Sequence, residues 1–365
     1  MVLKKCCKKT SMVVTPINAS YGQPYIQSQI IGTIPLPKTS QDLTTLIYTL
    51  DASPVFTKFI QAWENKIHPN NVLLDNTYNI ATSNGGSAFA AASFYYACQQ
   101  QLGRSINVTS NIPPPIYAFY KTVCNFVPYT NWIDWTEDSS ENYSFPTTSI
   151  DLLIVISPNN PTGEITSSIP SYSFTYLLVD TVYDNYLFTK TYSSVNSWAW
   201  DLMNNPQTGD PPTAIISSFS KFGFAGFRSG YLFTNDTTLL TLSQYYISNF
   251  VYGSPTFAYY NMINDNSLIN YSYFYQVNKV LTARQREIRQ YIDSSLILNT
   301  NSFAPYLFVK INASVFLNCN IIVQPGSFFL VSDEYSRINL MLKSQDWECL
   351  IYFIRTLLPY NLNNS

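Results

Sequence analysis

The chain has 365 residues, of which 46% are hydrophobic and only 12% charged, and a formal net charge of −2. That length suits two domains, or one large domain with a satellite, and the apolar share supports a sizeable core instead of a disordered chain. A near-neutral balance argues against nucleic acid as the main partner. His68 is the only histidine, and none of the six cysteines forms a CxxC pair, which argues against a zinc site.

In chain order, residues 1–50 come first. They open with the basic stretch MVLKKCCKK, which reads as a solvated tail or, less simply, as a lipidated anchor. The rest of this segment is rich in Pro, Gln, Ser and Thr and is predicted to be an arm or lid. Residues 51–255 are predicted to form a large domain. Its strand candidates are 78–82, 150–156, 176–179, 214–218 and 230–234, several of them nearly continuous in apolar residues. Gly85-Gly86-Ser87 opens an alanine-rich helix predicted over 88–102. Residues 256–365 are predicted to supply a linking helix over 257–292 and a small C-terminal domain. That domain has strands near 305–311 and 337–342 and a last helix over 347–358. No apolar run is long enough to span a bilayer, and scattered cysteines with apolar neighbours fit a reduced, cytoplasmic protein.

Four signals fall at the ends of predicted strands, where ligands gather in open α/β sheets. The turn Gly85-Gly86-Ser87 can present backbone N–H groups and a helix N-terminus to an anion; alone, such a turn is more often structural. The string SPNNPTG (157–163) follows the strand LLIVI, and its Asn160 can donate an amide hydrogen to a phenolate oxygen. Asp180 ends the apolar strand 176–179 and needs a cation or donors to offset desolvation; a protonated pyridine nitrogen is such a cation. Tyr183, three residues on, can reach the neighbouring ring oxygen. The run SSFSKFGFAGFRSGY (217–231) sets Lys221 behind a hydroxyl-rich turn and seven residues before Arg228. A lysine so framed can form a Schiff base with an aldehyde cofactor, and Arg228 with Ser218 can hold its phosphate.

In this order and spacing, the strings SPNNPTG, VDTVY (179–183), SFSKFGFAGFRSG (218–230) and RINL (337–340) resemble those of the fold-type-I pyridoxal-phosphate enzymes. These are the aspartate-aminotransferase superfamily, or class I/II aminotransferases, and the resemblance covers about 51–358. It implies an α/β fold: a large domain with a mostly parallel, seven-stranded mixed sheet between helices, and a small α/β C-terminal domain. It also implies pyridoxal 5′-phosphate as cofactor, with Lys221 as the internal-aldimine lysine and Asp180 paired with the pyridine nitrogen. Tyr183 and Asn160 would bond the 3-hydroxyl oxygen. Ser218, Arg228 and the Gly85-Gly86-Ser87 backbone would hold the phosphate. Tyr117 matches the aromatic that stacks on the ring, with Phe119 or Tyr120 as substitutes. Arg337 matches the arginine that binds the substrate carboxylate.

Within the superfamily the chain looks most like the alliinase and plant tryptophan-aminotransferase branch. It departs from that branch at Thr162, at Phe224, and in the seven-residue step from Lys221 to Arg228. The function so implied is amino-group transfer between an L-amino acid and a 2-oxo acid, in amino acid metabolism. A cysteine-sulfoxide C–S lyase of alliinase type is the second reading, and a catalytically degenerate binding protein the third. A homodimer is expected by resemblance and because twofold dimers are the commonest oligomers. Tyr21 or Tyr25 could then reach the partner's phosphate.

Overall fold

The structure, a computed structural model, describes residues 17–19, 60, 64, 80–83, 85–140, 142–184, 196–222, 230–250, 271–299, 304–356 and 358. Among these, strands and helices alternate around one seven-stranded sheet. The strands are β1 (Ile17–Asn18), β2 (Ile80–Ser83), β3 (Ile106–Ser110), β4 (Thr130–Trp132), β5 (Thr136–Glu137), β6 (Tyr143–Ser144), β7 (Leu152–Ile156), β8 (Tyr176–Asp180), β9 (Thr213–Ser218) and β10 (Gly230–Thr234). Four more follow: β11 (Tyr306–Val309), β12 (Ile321–Ile322), β13 (Gln324–Pro325) and β14 (Ser336–Asn339). The helices are α1 (Ser87–Leu102), α2 (Phe119–Val123), α3 (Ser197–Asn204), α4 (Thr237–Phe250), α5 (Tyr271–Ile288), α6 (Ala313–Leu317) and α7 (Ser344–Thr356).

The large sheet has the order β2-β10-β9-β8-β7-β3-β4. All neighbours are parallel except β10, which runs antiparallel to both β2 and β9. This is the mostly parallel mixed sheet expected from the sequence. Its central strands β7 and β8 are apolar along nearly their whole length because both faces are covered, and side chains alternate between two cores. Leu153, Val155, Leu177, Val179, Ile215 and Tyr231 face one side, with α3, α5 and α7. Leu152, Ile154, Ile156, Leu178, Ala214, Ile216 and Leu232 face the other, with α1 and α4. Each such leucine, isoleucine or valine side chain, fully withdrawn from water, contributes roughly 1.5–3 kcal/mol.

Several boundaries differ from the sequence reading. Strands β3 and β4 and helix α4 were not expected. The expected strand 78–82 is described as Ile80–Ser83, residues 78 and 79 lying outside the described residues, and β7 begins at Leu152, after Asp151, whose carboxylate accepts from Arg104 and from the Asn107 N–H. The linking helix is described over Tyr271–Ile288; the expected residues 257–270 lie outside the described residues, as do Tyr21 and Tyr25. Helix α1 starts at Ser87 and stops at Gly103, whose φ of 64° is left-handed and whose N–H reaches Gln99 and Gln100.

In the C-terminal third, β11, β14 and β13 form an antiparallel sheet. The N-terminal β1 pairs in parallel with β12, and the Ala19 carbonyl accepts from Asn339 N–H at 2.9 Å. Arg284 of α5 fastens this region. Its guanidinium donates to the carbonyls of Leu340 at 2.8 Å and Leu342 at 2.7 Å and lies over the Trp347 ring. Burial pulls its pKa down to about 10.

No helix among the described residues is long and apolar enough to cross a membrane. Cys98 and Cys124 carry free thiols.

Candidate active site

The carboxyl ends of β7, β8 and β9 lie side by side, and each delivers one of the sequence-predicted residues. Strand β8 ends on Asp180, which is buried. Its Oδ1 accepts from Val182 N–H at 2.9 Å, and its Oδ2 accepts from the Tyr120 hydroxyl. Burial raises the Asp180 pKa; the two donors and the nearby Lys221 charge work against it. Strand β9 runs into a 3-10 turn, Phe219–Phe222, that carries Lys221. Lys221 Nζ stands 4.9 Å from the centre of the Tyr183 ring. Behind it the Ser218 hydroxyl donates to Ser220 Oγ at 2.7 Å and accepts from Ser220 N–H at 2.9 Å, which closes the turn.

The loop after β7 is held from three sides. Ser157 N–H donates to the Asp180 carbonyl at 3.0 Å. Asn159 donates through Nδ2 to the Pro115 carbonyl and to Thr162 Oγ1, and its own carbonyl accepts from Tyr306 OH at 2.9 Å. Asn160 next to it is thereby fixed, and its Oδ1 accepts from Arg337 Nη1 at 2.6 Å. Arg337 sits on β14, opposite Phe308 and Gln324 in register. Its guanidinium is buried and sandwiched 5.1 Å from each of the Tyr306 and Phe329 rings, a geometry that favours the cation. Tyr306 also meets Tyr183 edge-on at 5.0 Å. A continuous set of contacts thus leads from Lys221 through Tyr183 and Tyr306 to Arg337 and Asn160.

The glycine turn follows β2, two strands from β9 in the sheet. Gly86 has φ 75° and is the N-cap residue of α1. Gly230, at the start of β10, pairs with Ser83 and Ser218. A Cβ on Gly230 would fall 2.3 Å from the Gly86 carbonyl carbon, so the absence of a side chain lets the turn approach the end of β9. Tyr117 is half-buried between Phe119, Tyr120 and Phe328. Backbone bonds from Ile116 and Ala118 to Phe329 and Phe328 tie its loop to the turn after β13.

Of the sequence-predicted residues, Asp180, Tyr183, Lys221, Asn160 and Arg337 are brought together, and Ser218 and the glycine turn flank them. Arg228 lies outside the described residues. The sequence reading did not foresee Tyr306, Phe329 or the bond from Tyr120 to Asp180. A clue was present for the last: a buried tyrosine needs an acceptor, and Asp180 was the one carboxylate already placed at a strand end.

Sheet order and strand-end residues define an α/β enzyme of fold type I. Residues 45–354 match the family described as "Aminotransferase class I and II", and the chain belongs to that family. No curated protein matches the sequence. Among solved structures, an aromatic aminotransferase from Pyrococcus horikoshii is 15% identical with a TM-score of 0.68, over 96% of this chain and 97% of that one. Aspartate aminotransferase from Thermotoga maritima is 15% identical with a TM-score of 0.65, over 93% and 92%. Tyrosine aminotransferase from Leishmania infantum is 14% identical with a TM-score of 0.64, over 93% and 94%. The protein is a pyridoxal-phosphate-dependent aminotransferase. The described residues fit that cofactor. A buried carboxylate suits a ring cation, a lysine charge acts on it, and a helix N-terminus behind a glycine turn suits a phosphate.

Proposed function

We propose that the protein moves an amino group between an L-amino acid and a 2-oxo acid, with Lys221 as its catalytic amine. The observation that carries this reading is the meeting of Lys221, Asp180 and the Asn160–Arg337 pair at one end of the sheet. When bound, pyridoxal phosphate supplies an electron-withdrawing ring that spreads charge developed at the substrate Cα. In this reading Asp180 faces the ring nitrogen and keeps its proton in place. Tyr183 and Asn160 donate to the ring oxygen, and Tyr117 covers one ring face. The Gly85-Gly86-Ser87 backbone, Ser218 and Arg228 take the phosphate. Arg337 binds the substrate carboxylate and so fixes which Cα bond stands perpendicular to the ring. Lys221 would hold the cofactor's aldehyde carbon, and its amine would carry a proton from the substrate Cα.

The cation–aromatic sandwich supports the role of Arg337, because it holds the guanidinium rigid while Asn160 uses one of its five N–H groups. The protein is proposed to work as a homodimer, as a self-complementary twofold pair.

Reconstitution with pyridoxal phosphate, followed by single amino acids without an oxo acid, tests the reaction. A transaminase stalls after one half-reaction, with loss of the cofactor's visible band and one equivalent of oxo acid. Continuous release of ammonia would instead indicate elimination of the C–S lyase kind. No spectral response to any amino acid, or Lys221→Ala with unaltered spectra, would indicate a binding protein.

A further inference from the structure

Tyr120 is buried in α2, and its hydroxyl donates to Asp180 Oδ2. Its position is fixed twice more. Its own carbonyl accepts from Tyr95 OH of α1 at 3.3 Å, and the Tyr117 ring packs edge-on against it at 6.3 Å. The other carboxylate oxygen of Asp180 is bonded by Val182 N–H. The two oxygens are therefore held by one backbone donor and one side-chain donor.

We infer that Tyr120 is a positioning residue that keeps the Asp180 carboxylate ionised and aimed at the cofactor's ring nitrogen. The inference rests on the reading of Asp180 given above. A buried carboxylate without donors takes up a proton, and a neutral acid no longer favours a protonated ring. Burial pushes the Asp180 pKa up; Tyr120 is the first of the groups that oppose it, followed by Val182 N–H and Lys221. Tyr120 itself stays a neutral donor, because burial and then the Asp180 charge push its pKa far above the usual range. Among the described residues, the titratable groups facing the pair are Lys221, Tyr95 and Tyr117. The phenol is thus a fixed donor that cannot become a competing anion.

The test follows Asp180 itself, not turnover. Infrared spectra of the full chain, with and without pyridoxal phosphate, are titrated with pH, and the Asp180 carboxyl band is assigned by its loss in Asp180→Asn. Tyr120→Phe keeps the ring and removes the donor. It is expected to raise the midpoint of that band by about one to two pH units, the span of one hydrogen bond to a charged group. A ring-fluorinated tyrosine at position 120, a stronger donor of nearly the same shape, is expected to lower it, and keeps the test open if the Phe variant does not fold. A midpoint within about 0.3 pH unit of wild type in the variants that fold overturns the inference. If Asp180→Asn leaves pyridoxal phosphate affinity and the cofactor spectrum unchanged, the reading of Asp180 fails and takes the inference with it. An unmoved midpoint alongside a weakened Asp180→Asn fails the Tyr120 inference alone.

Discussion

Replacing Glu64 by glutamine is expected to flatten the dependence of stability on pH. Glu64 is buried, and its carboxyl accepts from the hydroxyl of Tyr231 on β10. Burial pushes its pKa from 4.5 up to about 8; the Tyr231 bond opposes this and the Asp184 charge adds to it. The folded state therefore holds a proton that the unfolded chain has released between those two values. The stabilisation is complete below about 4.5 and is lost as pH rises through about 8. That interval corresponds to a ceiling of about 5 kcal/mol, reduced wherever water reaches the charged group. Glutamine is neutral at every pH and still offers Tyr231 an acceptor. Urea unfolding of wild type and Glu64→Gln at pH 5 and pH 9 isolates this group, since all others are shared. Expected is a variant within about 1–2 kcal/mol of wild type at the lower pH. At the higher pH the balance moves toward the variant by roughly 2–4 kcal/mol. A difference between the two proteins that stays constant across this range refutes the reasoning, because Glu64 would then carry the same charge in both states.

Two further substitutions probe the site. Arg337→Leu removes the proposed carboxylate contact and is expected to raise KM by roughly 10- to 150-fold, the worth of a charge-assisted bond, while pyridoxal phosphate affinity stays unchanged; steady-state kinetics and absorbance titration separate the two. Gly230→Ala drives a methyl group to within 2.3 Å of the Gly86 carbonyl carbon. The displaced glycine turn is expected to weaken pyridoxal phosphate binding by on the order of tenfold or more, measured by titrating the cofactor's visible band.

Much of the large sheet was legible because β7, β8 and β9 are buried on both faces; β7 and β8 read as apolar runs, and β9 carries the apolar centre Ala214-Ile215-Ile216. Asp180 and Lys221 stood out for the same reason, as charges at the ends of such runs. Strand β3 did not, since its sequence INVTS mixes polar and apolar residues. Inside the fold those hydroxyls are satisfied locally, Thr109 by the Ile133 carbonyl and Ser110 by the Ile112 carbonyl, so polarity and burial coexist. Strand β4 has three residues, too few for any periodicity. Arg337 could be placed on a strand by its apolar neighbours, but its contact with Asn160 joins segments 177 residues apart and follows from tertiary packing alone. The bond from Tyr120 to Asp180 was hidden in the same way, because Tyr117, Phe119 and Tyr120 offer three interchangeable aromatics until the backbone orients them.

Borohydride reduction of the pyridoxal-phosphate-loaded protein, followed by peptide mass mapping, tests the central assignment most directly. The expected result is one pyridoxyl-phosphate group on the peptide containing Lys221, and its loss, with the visible band, in Lys221→Ala. Label on another lysine, or label that persists in Lys221→Ala, would contradict it.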